Sequence, residues 1–91
     1  MSGPYRLTLY GRERCHLCEE MFEDLQPLLV KTAVALEEVD VDHDPELRKR
    51  YGLRVPVLVA SDGQVLAEGR LDPDYLGQWL DGLASDPPLH P

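Results

Sequence analysis

Cys15 and Cys18, with only His16-Leu17 between them, fall where one apolar period gives way to another. Upstream, Tyr5, Leu7 and Leu9 alternate with Arg6, Thr8 and Tyr10, the two-residue rhythm of a strand, which Gly11 ends. Downstream, Leu17, Met21, Phe22, Leu25 and Leu29 recur at helical spacing, with Glu19, Glu20, Glu23 and Asp24 on the opposite face of an amphipathic helix. Both sulfurs are thus placed on the first turn of a helix that leaves the end of a strand, and the fold must supply that junction.

The rest of the chain continues the alternation of elements. Pro27 lies inside the helical pattern, where its missing donor and its ring predict a kink or break near Gln26. Leu36 to Asp42 alternates Val39 and Val41 with acids and predicts a second strand, parallel to the first because a helix intervenes. Asp44 caps a short second helix with Pro45 at its first position, Leu47 and Tyr51 on its buried stripe and Gly52 as a left-handed stop. Val55-Pro56-Val57-Leu58-Val59-Ala60 is apolar on both faces, as a central strand is. Ser61-Asp62-Gly63 turns it into Val65-Leu66-Ala67, an antiparallel hairpin. Asp72 with Pro73 repeats the cap, and Leu76, Trp79, Leu80 and Leu83 mark the core stripe of a last helix. The expected order is βαβαββα, an α/β domain over residues 1–85, with Asp86 to Pro91 as a flexible proline-rich tail.

Composition narrows the function. At 91 residues the chain has room for one core, and no apolar run approaches the ~20 residues of a membrane helix. A formal charge of −8 repels phosphate backbones, so neither nucleic acid nor membrane is an expected partner. The chain is expected to be a monomer. Two cysteines are too few for a secreted disulfide framework and close enough for a redox pair, which points to a reducing, cytoplasmic setting. The acidic excess is uneven: residues 1–18 hold Arg6, Arg12 and Arg14 against Glu13 alone, a local charge of +2. With Arg54 and Arg70 this predicts a basic rim around the cysteines, suited to an anionic thiol or an acidic partner.

Unpaired amides and the positive end of the helix dipole favour an anion at Cys15, lowering its pKa from about 8.5 toward the ~3.5–7.5 range of activated thiols. Arg12, Arg14 and protonated His16 push the same way, and His16 is placed to donate a proton to a leaving thiol. Cys18, one turn further on the same face, is less accessible and closes the bridge. Cys15 therefore attacks and Cys18 resolves. Alternatives remain at this stage: two buried small hydrophobes, half of a zinc site, or a metal or iron–sulfur centre shared between two chains. No second cysteine pair exists, and His43 and His90 lack zinc-finger spacing, so no metal ligand set within one chain is assigned. Asp40, Asp42, His43 and Asp44 lack the glycine and terminal glutamate of a calcium loop and read as a solvated corner.

The sequence also resembles the glutaredoxin-like family of the thioredoxin-fold superfamily over nearly its whole length. Leu7-Thr8-Leu9-Tyr10-Gly11 leading through Arg12-Glu13-Arg14 into Cys15-His16-Leu17-Cys18 resembles the glutaredoxin entry to its motif. Arg54-Val55-Pro56-Val57 resembles the Thr-Val-Pro element whose proline is cis in that family. The resemblance implies a thioredoxin-like, glutaredoxin-type fold, a four-stranded mixed sheet flanked by three helices, acting as a thiol–disulfide oxidoreductase. It implies Cys15 as nucleophile, Cys18 as resolving thiol, and a cis Pro56 that exposes the Val55 backbone to an extended thiol peptide. Glutathione is the implied co-substrate, with no bound cofactor, and the partners are disulfide-containing proteins or glutathione mixed disulfides. Arg14 stands where a lysine often precedes the motif; Arg12, Arg54 and Arg70 are candidates for a glutathione carboxylate and Asp72 for its amine. Two positions depart from the family: His16-Leu17 replaces the common Pro-Tyr, and Gly69-Arg70-Leu71-Asp72 replaces a Gly-Gly pair before an acid. The non-enzymatic alternative is a thioredoxin-fold binding or redox-sensing module, with or without a cluster held between two chains.

Overall fold

The structure, a computed structural model, describes residues 5–30 and 32–85. The expected tail, 86–91, lies outside the described residues. Strand β1 (Arg6–Gly11) leads into α1 (His16–Leu29), followed by β2 (Ala35–Asp40), a 3₁₀ turn at Val41–His43 and α2 (Pro45–Tyr51). The hairpin β3 (Val57–Ala60) and β4 (Val65–Glu68) then precedes α3 (Pro73–Ser85). The four strands form one mixed sheet in the order β2-β1-β3-β4, parallel between β1 and β2 and antiparallel elsewhere.

The alternation of side chains across the strands sorts the core into two layers. Leu7 and Leu9 of β1 and Leu58 and Ala60 of β3 face α1 and α3, where they meet Met21, Leu25, Leu29, Leu76 and Leu80. Val57 and Val59 face the other way, onto Val41 and Tyr51, with Tyr10, Leu47 and Val55 packed around them. β3 is buried on both faces throughout, as its unbroken apolar run requires. In the hairpin the register shifts between Leu58 and Val59, so the consecutive Leu66 and Ala67 both join the α1/α3 layer. Gly63, at φ 92, takes the left-handed position of the hairpin turn, and Ser61 Oγ donates to the Arg6 carbonyl at 2.8 Å, tying the turn to β1.

Local expectations differ from the structure at four places. α1 runs through Pro27 without a break to Leu29, because Leu25 and Leu29 are buried on either side of it and the lost bond falls on the solvent face, at exposed Glu23. The second strand stops at Asp40: its carboxylate accepts from the Asp42 amide at 2.8 Å, the chain turns, and Val41 goes into the α2 layer instead of alternating in the sheet. Gly52 is right-handed, φ −56, so glycine is there for space, since a Cβ would strike the Arg48 carbonyl. Val55 and Pro56, joined by a cis peptide bond, precede β3 and do not join it, and proline has no N–H to give the ladder. Asp44 and Asp72 cap their helices as expected, Asp44 accepting from Glu46 N and Asp72 from Asp74 N and Tyr75 N.

Candidate active site

Register puts the chemically interesting segments at one end of the sheet. Gly11 pairs with Asp40 and Tyr10 with Val57, so the loop into α1, the end of β2 and the Val55–Pro56 bond converge there. Val57 pairs with Glu68, which brings Gly69 and the start of α3 to the same end, and Gly69 N donates to the Pro56 carbonyl at 2.8 Å. Cys15, Cys18, Arg12, Arg14, His16, Arg54, Val55, Pro56, Arg70 and Asp72 are thereby gathered from the β1–α1, α2–β3 and β4–α3 connections and the first turn of α1.

Cys15 is the N-cap of α1, extended at φ −105, ψ 104, and its Sγ accepts from the Cys18 amide at 3.2 Å. A sulfur held against an open helix amide has its negative charge stabilised when the thiol ionises. Cys15 and Cys18 form a disulfide with Cα atoms 5.1 Å apart, so the dithiol is in its oxidised form. Cys15 is half-buried and Cys18 only 8 % exposed, a difference that leaves Cys15 the more open to an incoming sulfur. Gly11 not only ends β1: a Cβ there would lie 3.1 Å from Cys18 Sγ, so glycine lets β1 approach the Cys18 sulfur. Arg14, immediately before Cys15, holds φ 59, a left-handed conformation that an L side chain adopts at a cost of roughly 1–2 kcal/mol.

The expected basic rim is not what the side chains make. Arg12 binds Asp42 through two nitrogens at 2.9 and 3.2 Å. Arg54 forks onto both carboxylate oxygens of Glu68 at 3.0 and 3.1 Å, and its guanidinium lies 5.4 Å from the Tyr51 ring centre. Tyr51 in turn stacks on Tyr10 with centroids 4.3 Å apart. The hydrogen bond from Arg54 lowers the Glu68 pKa below its ordinary value and raises that of Arg54; burial, then the neighbouring Tyr51, raises Tyr10. His16 is exposed and paired with Glu20 at 2.7 Å. Asp72 is engaged as the α3 cap, and Arg70 is exposed beyond a single bridge to Glu68. Beside Cys18 a cleft of about 400 Å³ opens between α1 and β2, lined by Gly11, Cys18 and Phe22 and by the charged residues Arg12, Glu13, Glu19, Glu23, Glu38 and Asp40.

A cysteine-capped helix, a second cysteine one turn inside it and a cis proline leading into β3 meet at this end of the sheet. The family model of the glutaredoxin-like domain (DUF836) matches residues 6–81. The chain belongs to the glutaredoxin-like family. Protein Ne2328 of Nitrosomonas europaea, solved in solution, is similar at 41% identity and a TM-score of 0.75, over 88% of this chain and 95% of that one. Protein XcR50 of X. campestris, solved by X-ray, is 39% identical with a TM-score of 0.70, over 84% of this chain and 96% of that one. A thioredoxin mutant from Halobacterium salinarum is 28% identical with a TM-score of 0.67, covering 98% of this chain and 80% of that one. No curated protein matches the chain by sequence. The fold is the thioredoxin-like α/β fold, and its Cys15–Cys18 pair points to redox activity.

Proposed function

We propose that the chain is a thiol–disulfide oxidoreductase that reduces disulfides of other proteins through its dithiol. The observation that carries this is the unequal placement of the two sulfurs: Cys15 on the open N-cap, Cys18 buried one turn inside and within bonding reach of it. In the reduced form the Cys15 thiolate attacks one sulfur of a substrate disulfide, breaking that bond and releasing one substrate thiolate, which takes a proton from solvent. The Cys18 thiolate, having given its proton to solvent, then attacks Cys15 Sγ, forming the internal disulfide and releasing the second substrate thiolate, which takes a proton from solvent. The substrate gains two electrons and this chain loses two. Val55, ahead of the cis bond and outside β3, is the backbone along which the substrate segment adds as a strand.

A thiol reductant must reopen the Cys15–Cys18 bond. Glutathione is the reductant that family membership favours, with Arg14 and Arg70 as the cations nearest in sequence to the site that have no carboxylate partner among the described residues. The cytoplasm, being reducing, is the compartment in which such a cycle runs.

Trapping tests the mechanism. Cys18→Ser is expected to accumulate a mixed disulfide between Cys15 and a peptide substrate, detected as an added mass that a reductant removes. Cys15→Ser is expected to accumulate none. A mixed disulfide on Cys18 instead, or none in either variant, overturns the proposal.

A further inference from the structure

We propose that the charges around the dithiol select for substrate disulfides flanked by cationic side chains and against anionic ones, with Glu68 as a specificity-determining residue. This rests on the proposed exchange activity and names its substrate class.

Arg54 is the cation closest in sequence to the cis peptide, and a substrate carboxylate docking beside Val55 would meet it first. Both oxygens of Glu68 already hold the Nε and Nη2 edge of its guanidinium, which also lies over Tyr51, so an incoming carboxylate meets a cation whose charge is already balanced and whose bidentate edge is taken. Arg12 is balanced in the same way by Asp42. On the other side of β1, the cleft that reaches Cys18 carries Glu13, Glu19, Glu23 and Glu38, none with an ion-pair partner among the described residues. Among the described residues Arg14, Arg70 and Arg50, the last with its guanidinium 6.0 Å from the Tyr51 ring centre, have no ion-pair partner, and they are outnumbered by those four glutamates. Cations that would attract an anion are neutralised internally, while the carboxylates beside the resolving sulfur are not. The potential that an approaching disulfide meets is therefore negative, and it acts on the rate of encounter.

The test uses the full reduced chain and three peptide disulfides identical except for Lys, Ala or Glu on both sides of the cystine. In each reaction the peptide is reduced by two electrons and Cys15–Cys18 closes. The Ala peptide reports whether exchange occurs at all; the ratio of the Lys to the Glu rate reports selectivity. At low salt the Lys peptide is expected to react at least about tenfold faster than the Glu peptide. The ratio is expected to collapse between roughly 0.01 M and roughly 1 M salt, as the screening length falls from about 30 Å to about 3 Å. Glu68→Gln, which frees Arg54, is expected to raise the Glu-peptide rate roughly threefold or more relative to the Ala peptide. Equal or reversed Lys and Glu rates at low salt overturn the proposal, as does a Glu68→Gln variant with the wild-type ratio; should that variant not fold, the wild-type salt series decides alone. An inert Ala peptide overturns the oxidoreductase assignment itself.

Discussion

The two faces of the sheet are built from adjacent residues of the same strands and yet do different work. Leu58 and Ala60 point into a layer of leucines, methionine and alanine between the sheet, α1 and α3. Val57 and Val59, one residue away, point into a smaller layer that ends in a polar stack: Tyr10 on Tyr51, Arg54 over Tyr51, Glu68 on Arg54. The first face supplies stability by area removed from water. The second spends part of its surface on groups with directional partners, and those partners fix the segment that leads into the cis bond. A strand buried on both faces lets one set of side chains hold the fold while the alternate set shapes the site.

The sharpest break of this comparison is Leu58→Ala. Leu58 is fully buried, and its loss should cost about 2–5 kcal/mol of unfolding free energy in a urea titration, while peptide exchange by the folded fraction keeps its rate and its charge preference. A smaller change is expected on the other face. Tyr51→Leu keeps apolar volume but removes the aromatic pair and the cation–π contact, costing about 0.5–1.5 kcal/mol; unlike Leu58→Ala, it should narrow the ratio between Lys- and Glu-flanked peptides. If both variants altered selectivity equally, the division of labour between faces would be wrong.

The smallest effect concerns pH. The Glu68 carboxyl, hydrogen-bonded by Arg54, should titrate below the ordinary glutamate value of 4.5, and Arg54→Ala should return it there, as followed by the carboxyl carbon shift in NMR. Because the folded-state pKa is lowered, the pair contributes stability above the unfolded value and loses it as pH falls through the lowered one. The side chains are exposed, so the gain is small, in the manner of surface ion pairs.

Much of this molecule was legible in its residues, for reasons that differ by element. β1 and α1 were readable because their apolar periods are long and switch sharply at the cysteines. The caps Asp44 and Asp72 were readable because a carboxylate followed by proline leaves the chain few other conformations. The cis bond before Pro56 was legible only through family resemblance, since flanking residues do not determine the isomer. Val41 shows the limit of periodicity: it alternates correctly for a strand, but the Asp40 side chain offers the Asp42 amide a local partner and the strand ends first. Gly11 shows another, because its second role comes from a sulfur that the chain brings back from a different element.

By itself the sequence determined the order of elements, the position of the dithiol at a helix start and the family, since these depend on local periodicity, capping and motif spacing. Tertiary structure alone decided the charge at the site. Arg12 meets Asp42 across 30 residues and Arg54 meets Glu68 across 14, pairings set by which strands lie side by side. Long charged side chains leave no periodic trace, and a carboxylate far away in the chain costs an arginine its availability only once the sheet brings them together.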